Sequence, residues 1–314
     1  MEKNEMEFDE ELYGKFFAVV GSPDEGARPD GTRRISQAKA ALALGYSSSV
    51  VSAYKSRSYN GNVKAFEEAA RSWLKREERR IAKIEVPIVA TNALDSIRNG
   101  INITQDERDI AVIVGGSGTG KTTALRAIAG ENPSAILLEA DSSFTKNVLV
   151  TEIARAVGVE PKGSVTTIIG RIVEALRGRD TVIMIDEADY LSDASLELVR
   201  RVIHDKAQTG VVLVGLPRLK YQLENRRNDH EQLTSRVGVM LEVKGLARQD
   251  AVKIIEGVWQ GLPGETVDAF FTAAKGSART LVKLMGRVHQ TMAINGIDTP
   301  NAEVIEAAGA MLMR

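Results

Sequence analysis

The sequence predicts an α/β fold, with a parallel sheet covered on both faces, a helical subdomain after it and an all-α module in front. Three observations carry this reading. Between residues 110 and 244 the runs "IAVIVGG", "SAILLEA", "TVIMIDEAD", "GVVLVGLP" and "VGVMLEV" alternate with helical segments. Apolar strands separated by helices imply parallel strands buried on both sides. Residues 245–314 lose the strand signal and read as three or four helices. Residues 34–84 are helical throughout, and Phe66, Ala70, Trp73 and Leu74 mark one apolar face of their last helix.

Bulk properties set bounds on the rest. A chain of 314 residues buries a sizeable core in two or three domains. It has no cysteine, which excludes disulfides and thiolate metal sites, and cytoplasm is the default compartment. Its acidic start, "MEKNEMEFDEE", has neither the basic region nor the apolar stretch of a signal peptide, and no apolar run is long enough to suggest a membrane partner. The net charge of −1 provides no global attraction to nucleic acid, so DNA binding must come from local patches. Residues 1–33, acidic and then rich in Gly, Pro and Asp, read as a flexible arm. A linker is expected near 83–90, where "EVPIVATNALDSI" brings a proline and an extended segment.

Gly115, Gly116, Ser117, Gly118, Thr119, Gly120, Lys121 and Thr122 satisfy the phosphate-binding pattern GxxxxGK[ST]. They follow an apolar strand and open a helix beginning at Thr123, the context this motif requires. The glycines let the backbone curl so that successive N–H groups face a β-phosphate, and the helix N-terminus adds partial positive charge. Lys121 can then bridge the β- and γ-phosphates of ATP, and the Thr122 hydroxyl can ligate Mg²⁺. Downstream, "VIMIDEAD" reads as a buried strand ending in Asp186 and Glu187. At that strand end Asp186 would hold Mg²⁺ through water, and Glu187 would polarise the attacking water.

The opening helices have the register of a helix-turn-helix over 37–57. Ala41 is small where two helices cross, Gly45 allows the turn, and Val51 returns to the core. Ser47 can cap the second helix, leaving Ser48, Ser49, Ser52 and Lys55 on its outer side. Such groups suit phosphate contact with little base discrimination. A plain three-helix protein-interaction bundle is the alternative.

Taken together, the phosphate-binding loop, "IDEAD", the strand "VVLVG", "LTSR" and a late "GSAR" resemble an AAA+ ATPase. The likeness extends over nearly the whole chain, including the front module and the "YNG" that closes it, and is greatest to the transposition-regulator family that includes the phage Mu B protein. The resemblance implies a P-loop AAA+ core over 86–244, a helical lid over 245–314 and a helix-turn-helix domain over 34–85. It implies that Arg236, in "QLTSRVG", reaches into a neighbouring subunit's site, with Arg226 and Arg227 as competitors and a surface salt bridge as the plain alternative. Arg279, in "GSAR", matches the lid arginine that touches the γ-phosphate. Family likeness also points to a second DNA surface carrying Thr145, Lys146, Lys162 and Arg171, each of which could equally belong to a solvated face. One departure stands out: Leu216 occupies the place after the fourth strand where a polar residue usually positions the water. Slow hydrolysis, or a polar substitute from elsewhere, is therefore expected.

The function this implies is ATP-dependent assembly on duplex DNA, largely tolerant of sequence, that selects or delivers target DNA to a transposase. A helicase-loader ATPase, an ATP-gated helix-turn-helix transcription regulator and an ATP-bound scaffold without turnover remain as alternatives.

Overall fold

The computed structural model describes residues 8–22, 34–81, 84–225 and 232–312. The chain divides into two compact units, one drawn from residues 1–83 and 293–296, the other from 84–292 and 297–314. Core and lid thus lie within one unit.

In the first unit four helices, α1 (Glu10–Val19), α2 (Gln37–Leu44), α3 (Ser48–Lys55) and α4 (Val63–Ile81), surround an aromatic core. Phe16, Tyr54 and Phe66 are fully buried there, and Trp73 nearly so. The α2–α3 turn passes through Gly45 in the left-handed region at φ 78°. Ala41 and Val51 are buried beneath it. Two details depart from the sequence reading. Part of the expected flexible arm is helical and packed. Leu12 and Phe16, four apart on α1, are buried, and the acidic Asp9 and Glu10 pair with Arg71 and Arg57. An acidic average over 33 positions conceals this helical apolar spacing. The second concerns Ser47, which stands at the N-cap of α3 but makes no capping bond. Its hydroxyl lies 2.7 Å from Ser49 Oγ instead.

The second unit is built on the five predicted strands: β1 (Ile110–Gly115), β2 (Ala135–Glu139), β3 (Val182–Asp186), β4 (Gly210–Gly215) and β5 (Val237–Val243). They form one sheet in the order β2-β3-β4-β1-β5, with every pairing parallel. The period of two along β1 distributes its side chains to both faces. Ile110, Val112 and Val114 meet Leu149, Ile153 and Ile172 on one side. Ala111 and Ile113 meet Ile97, Ile101 and Leu125 on the other. These partners come from α7 (Lys146–Ala156) and α8 (Val165–Leu176) on the first face. On the second they come from α5 (Asn92–Glu107) and α6 (Lys121–Glu131). Strand β5 is an edge strand in which exposed and half-buried residues alternate until Val243.

After β3 the chain runs through a short turn at Ala188–Tyr190 into α9 (Asp193–Leu198), which continues as a π-helical stretch, Val199–His204. Helix α10 (Pro217–Asn225) follows β4. The lid consists of α11 (Arg248–Glu256), α12 (Gly264–Ala274), α13 (Ala278–Asn295) and α14 (Ala302–Ala310). Ile255, Phe270, Leu281, Met285 and Ile305 form its separate core. Among the described residues no helix is long and apolar enough to cross a membrane.

Candidate nucleotide site

In a parallel sheet the ends of the strands, where the order reverses, are the natural place for a ligand. The loop after β1 occupies that place. Gly118 and Gly120 adopt φ 80° and 97° there, a region that L side chains avoid. Gly118 has a second constraint, because a Cβ on it would collide with Ser277 Oγ from the lid. Helix α6 then starts at Lys121, so the free N–H groups of its first turn, including that of Thr123, lie beside the loop.

Lys121 is 8% exposed, and its Nζ donates to the Gly115 and Gly116 carbonyls at 2.7 and 3.0 Å. Burial lowers its pKa, opposed by the negative charges of Asp186, Glu187 and Asp189. The cation is therefore held inside its own loop by carbonyl dipoles that phosphate oxygens can replace. Thr122 Oγ1 donates to Asp186 Oδ2 at 2.6 Å, and the other Asp186 oxygen accepts the Glu187 N–H at 2.9 Å. A hydroxyl and a carboxylate in contact beside a phosphate loop form an oxygen donor set that fits Mg²⁺, which would neutralise β- and γ-phosphate charge when bound. Glu187 is half-buried, with φ 53°. A left-handed non-glycine residue at a strand end stores strain that its surroundings must hold in place.

The lid closes the site from above. Arg279 N–H donates to the Gly118 carbonyl at 3.2 Å, and its Nη1 donates to Ser117 Oγ at 3.1 Å. A cavity of about 950 Å³ runs between core and lid, lined by Lys121, Thr122, Glu187, Leu216 and Arg279. It is lined too by the linker residues Val86 to Val89 and by Leu246, Ala247, Asp250 and Ile254 of the lid. A cavity of this size with both apolar and cationic groups can take a nucleoside triphosphate.

Residues 104–223 match the AAA domain family. The fold is that of a P-loop AAA+ core, as two solved structures illustrate. The Aeropyrum pernix ORC2 protein in ADPNP–ADP complexes superposes with a TM-score of 0.54 at 16% identity, over 72% of this chain and 70% of that one. The Thermotoga maritima RuvB Holliday junction branch migration motor gives 0.50 at 18%, over 71% and 70%. A "Potential ATP-binding protein" of Staphylococcus aureus is 28% identical over 137 residues, 40% of this chain and 49% of that protein. The chain thus spans about half the length of that relative.

The remaining residues singled out in the sequence lie elsewhere. Arg236 does not enter this AAA+ site in its own chain. Its Nε donates to Asp205 Oδ1 at 2.7 Å and its Nη1 to the Gln232 carbonyl at 2.5 Å, while its carbonyl accepts the Ile110 N–H at the opposite end of β1 from the loop. Asp205 also pairs with the buried Arg200. Arg226 and Arg227 lie outside the described residues.

Of the residues assigned to a second DNA surface, Lys146 is exposed at the start of α7. Thr145 is exposed too, but its hydroxyl accepts the Val148 N–H as the N-cap of that helix. Lys162 is 78% exposed and pairs with Glu160. Arg171 bonds the Glu160 and Lys162 carbonyls, so its donors fasten a loop rather than face outward. On α3, Ser48, Ser49 and Ser52 are exposed, whereas Lys55 is half-buried with its ammonium 5.9 Å from the Phe17 ring centroid.

Sequence reasoning did not find Asp189, whose Oδ1 accepts the Leu216 N–H at 3.1 Å. The only signal for it was the second Asp of "IDEAD".

Proposed function

We propose that this protein is an ATP-hydrolysing AAA+ ATPase that assembles on duplex DNA, with little sequence preference, and selects or delivers target DNA to a transposase. The observation that carries the nucleotide part is the lid arginine Arg279 bonded to Ser117 of the phosphate loop, over a cavity that also holds Lys121, Thr122 and Glu187. A γ-phosphate placed there meets cationic groups from core and lid at once, so ATP favours the closed unit and its loss as phosphate releases it. In this reading Lys121, Arg279 and the Gly115–Thr123 backbone bind the triphosphate, Asp186 and Thr122 hold Mg²⁺, and Glu187 is the base.

The DNA part rests on the helix-turn-helix packing and on the row of exposed hydroxyls on α3. Its plausibility is raised by the company the fold keeps, which includes a Holliday junction motor and the Drosophila ORC bound to DNA. The assembly part is supported by Arg236, which sits on a rim away from its own phosphate loop. The transposase partner rests on the sequence resemblance over the front module, the "IDEAD" and "GSAR" motifs and the "YNG" segment. We infer a cytoplasmic site of action from the same resemblance.

The test of the DNA part is binding to several unrelated duplexes over a range of salt, with ATP and with ADP. Affinity should be similar for all sequences and higher with ATP. Lys146→Ala should weaken binding to all of them alike and make the dependence of log K on log salt shallower by about one unit, the signature of one lost phosphate contact. An unchanged slope and affinity would return Lys146 to the solvated surface.

A further inference from the structure

The end of β4 presents an apolar residue where hydrolysis calls for a polar one. Leu216 lines the nucleotide cavity there, and its side chain can neither hold nor orient a water. A buried carboxylate from a neighbouring turn is anchored at that point of the sheet. Asp189, in the turn that leaves the neighbouring strand β3, extends its carboxylate across the end of β4. The side chain is 0% exposed, although it is charged. One oxygen takes the Leu216 N–H at 3.1 Å, and the other pairs with Arg218, whose guanidinium lies 5.1 Å from the Tyr190 ring centroid. Both carboxylate oxygens are thus satisfied, as a buried charge requires.

Gly215 makes room for this arrangement. A Cβ at position 215 would lie 2.5 Å from Asp189 Oδ1 and 3.4 Å from its Cγ. The carboxylate therefore stands in the space that a side chain of β4 would otherwise take. The carboxylate reaches the end of β4 sideways, from the β3 turn, over a glycine that leaves it room.

The same turn begins with Glu187 in its left-handed conformation, and the Tyr190 N–H closes the turn by donating to the Glu187 carbonyl at 3.0 Å. A strained residue keeps one orientation only if its neighbours are fixed. Asp189 fixes them, because it ties the turn to β4 two residues beyond Glu187. We infer that Asp189, seated on Gly215 and paired with Arg218, is the positioning residue of the hydrolytic site: it holds the Glu187 turn against β4. This rests on the proposed hydrolytic reading. Asp189 touches neither nucleotide nor water; it acts through Glu187 and the Leu216 amide.

The experiment combines nucleotide titration with single-turnover ATP hydrolysis on the full chain in the presence of DNA. Asp189→Ala should bind ATP within about twofold of the unmodified chain while its single-turnover rate falls on the order of tenfold to a hundredfold, the scale of a misplaced catalytic group. Asp189→Asn keeps an acceptor for the Leu216 N–H but not the charge facing Arg218, and should fall between the two. Gly215→Ala leaves every charge in place and crowds the carboxylate off β4, with a milder contact to Leu219, so it should reproduce the split between binding and rate even if Asp189→Ala fails to fold. A loss of ATP affinity and rate in equal measure would indicate general damage and overturn the assignment. So would the parental rate in folded Asp189→Ala or Gly215→Ala. An unmodified chain that binds ATP but never turns it over would overturn the hydrolytic reading as well, which separates the two failures.

Discussion

Lys121→Ala should abolish ATP binding at micromolar nucleotide, while Glu187→Gln should keep ATP and lose turnover. The first expectation follows from where the ammonium sits. It is a buried cation whose present partners are two loop carbonyls, and a triphosphate offers it charged oxygens instead. Charge-assisted hydrogen bonds contribute about 1.5–3 kcal/mol each, so losing two weakens binding by roughly a hundredfold or more. Alanine also leaves the Gly115 and Gly116 carbonyls without that donor, so a melting curve must accompany the titration. The second expectation concerns chemistry alone. Glutamine nearly matches the shape of Glu187 but cannot accept a proton, and general bases contribute about 10²–10⁴-fold. Because ATP would persist on Glu187→Gln, its residence on DNA should lengthen. Hydrolysis by Glu187→Gln at the parental rate on DNA would remove Glu187 from the role of base.

Arg236→Ala should bind ATP nearly normally, hydrolyse it poorly and regain activity when mixed with Glu187→Gln. The fold gives the reason. Arg236 caps the start of β1 through the Ile110 N–H, whereas the phosphate loop begins at its other end, Gly115. Five rises of about 3.3 Å separate those ends, roughly 17 Å, beyond the reach of an arginine side chain. In the proposed head-to-tail assembly the same rim would face the next subunit's loop. An arginine inserted there stabilises charge developing on the transferred phosphoryl and is worth about 10³–10⁵ in related reactions. In the single chain Asp205 holds the guanidinium. Glu187→Gln still binds ATP and carries an intact Arg236, so mixed oligomers pair a competent base in one subunit with a competent arginine in the next. Turnover should peak at intermediate mixing ratios. If mixed oligomers form and no ratio restores activity, Arg236 does not act in trans.

The sheet was legible because parallel strands buried on both faces leave continuous apolar runs, and all five lie where those runs occur. The phosphate loop was equally plain, since few chain segments other than a strand-to-helix phosphate turn need glycine at Gly118 and Gly120 followed by Lys121 and Thr122. What escaped the sequence depends on distant partners or on averaging. Nothing in "GSAR" itself states that Ser277 packs against Gly118, a contact between residues far apart in the chain. Helix α1 was hidden by the acidity of its neighbours, although Leu12 and Phe16 carry the helical spacing. Arg171 looks like a surface cation until the carbonyls of Glu160 and Lys162 are seen to absorb its donors. Asp189 shows the same limit from the other side. Nothing in "IDEAD" states that its second aspartate reaches the Leu216 amide at the end of β4; the placement of the β3 turn beside β4 does.

In the proposed function, ATP makes this chain assemble along DNA without regard to sequence. Electron microscopy of the full chain with ATP and a long random-sequence duplex tests it most directly, with ADP and Lys121→Ala as parallel samples. Continuous coating of the duplex is predicted with ATP, and bare or sparsely bound DNA in the other two samples. Discrete particles at fixed positions, or equal coating with ADP, would contradict it.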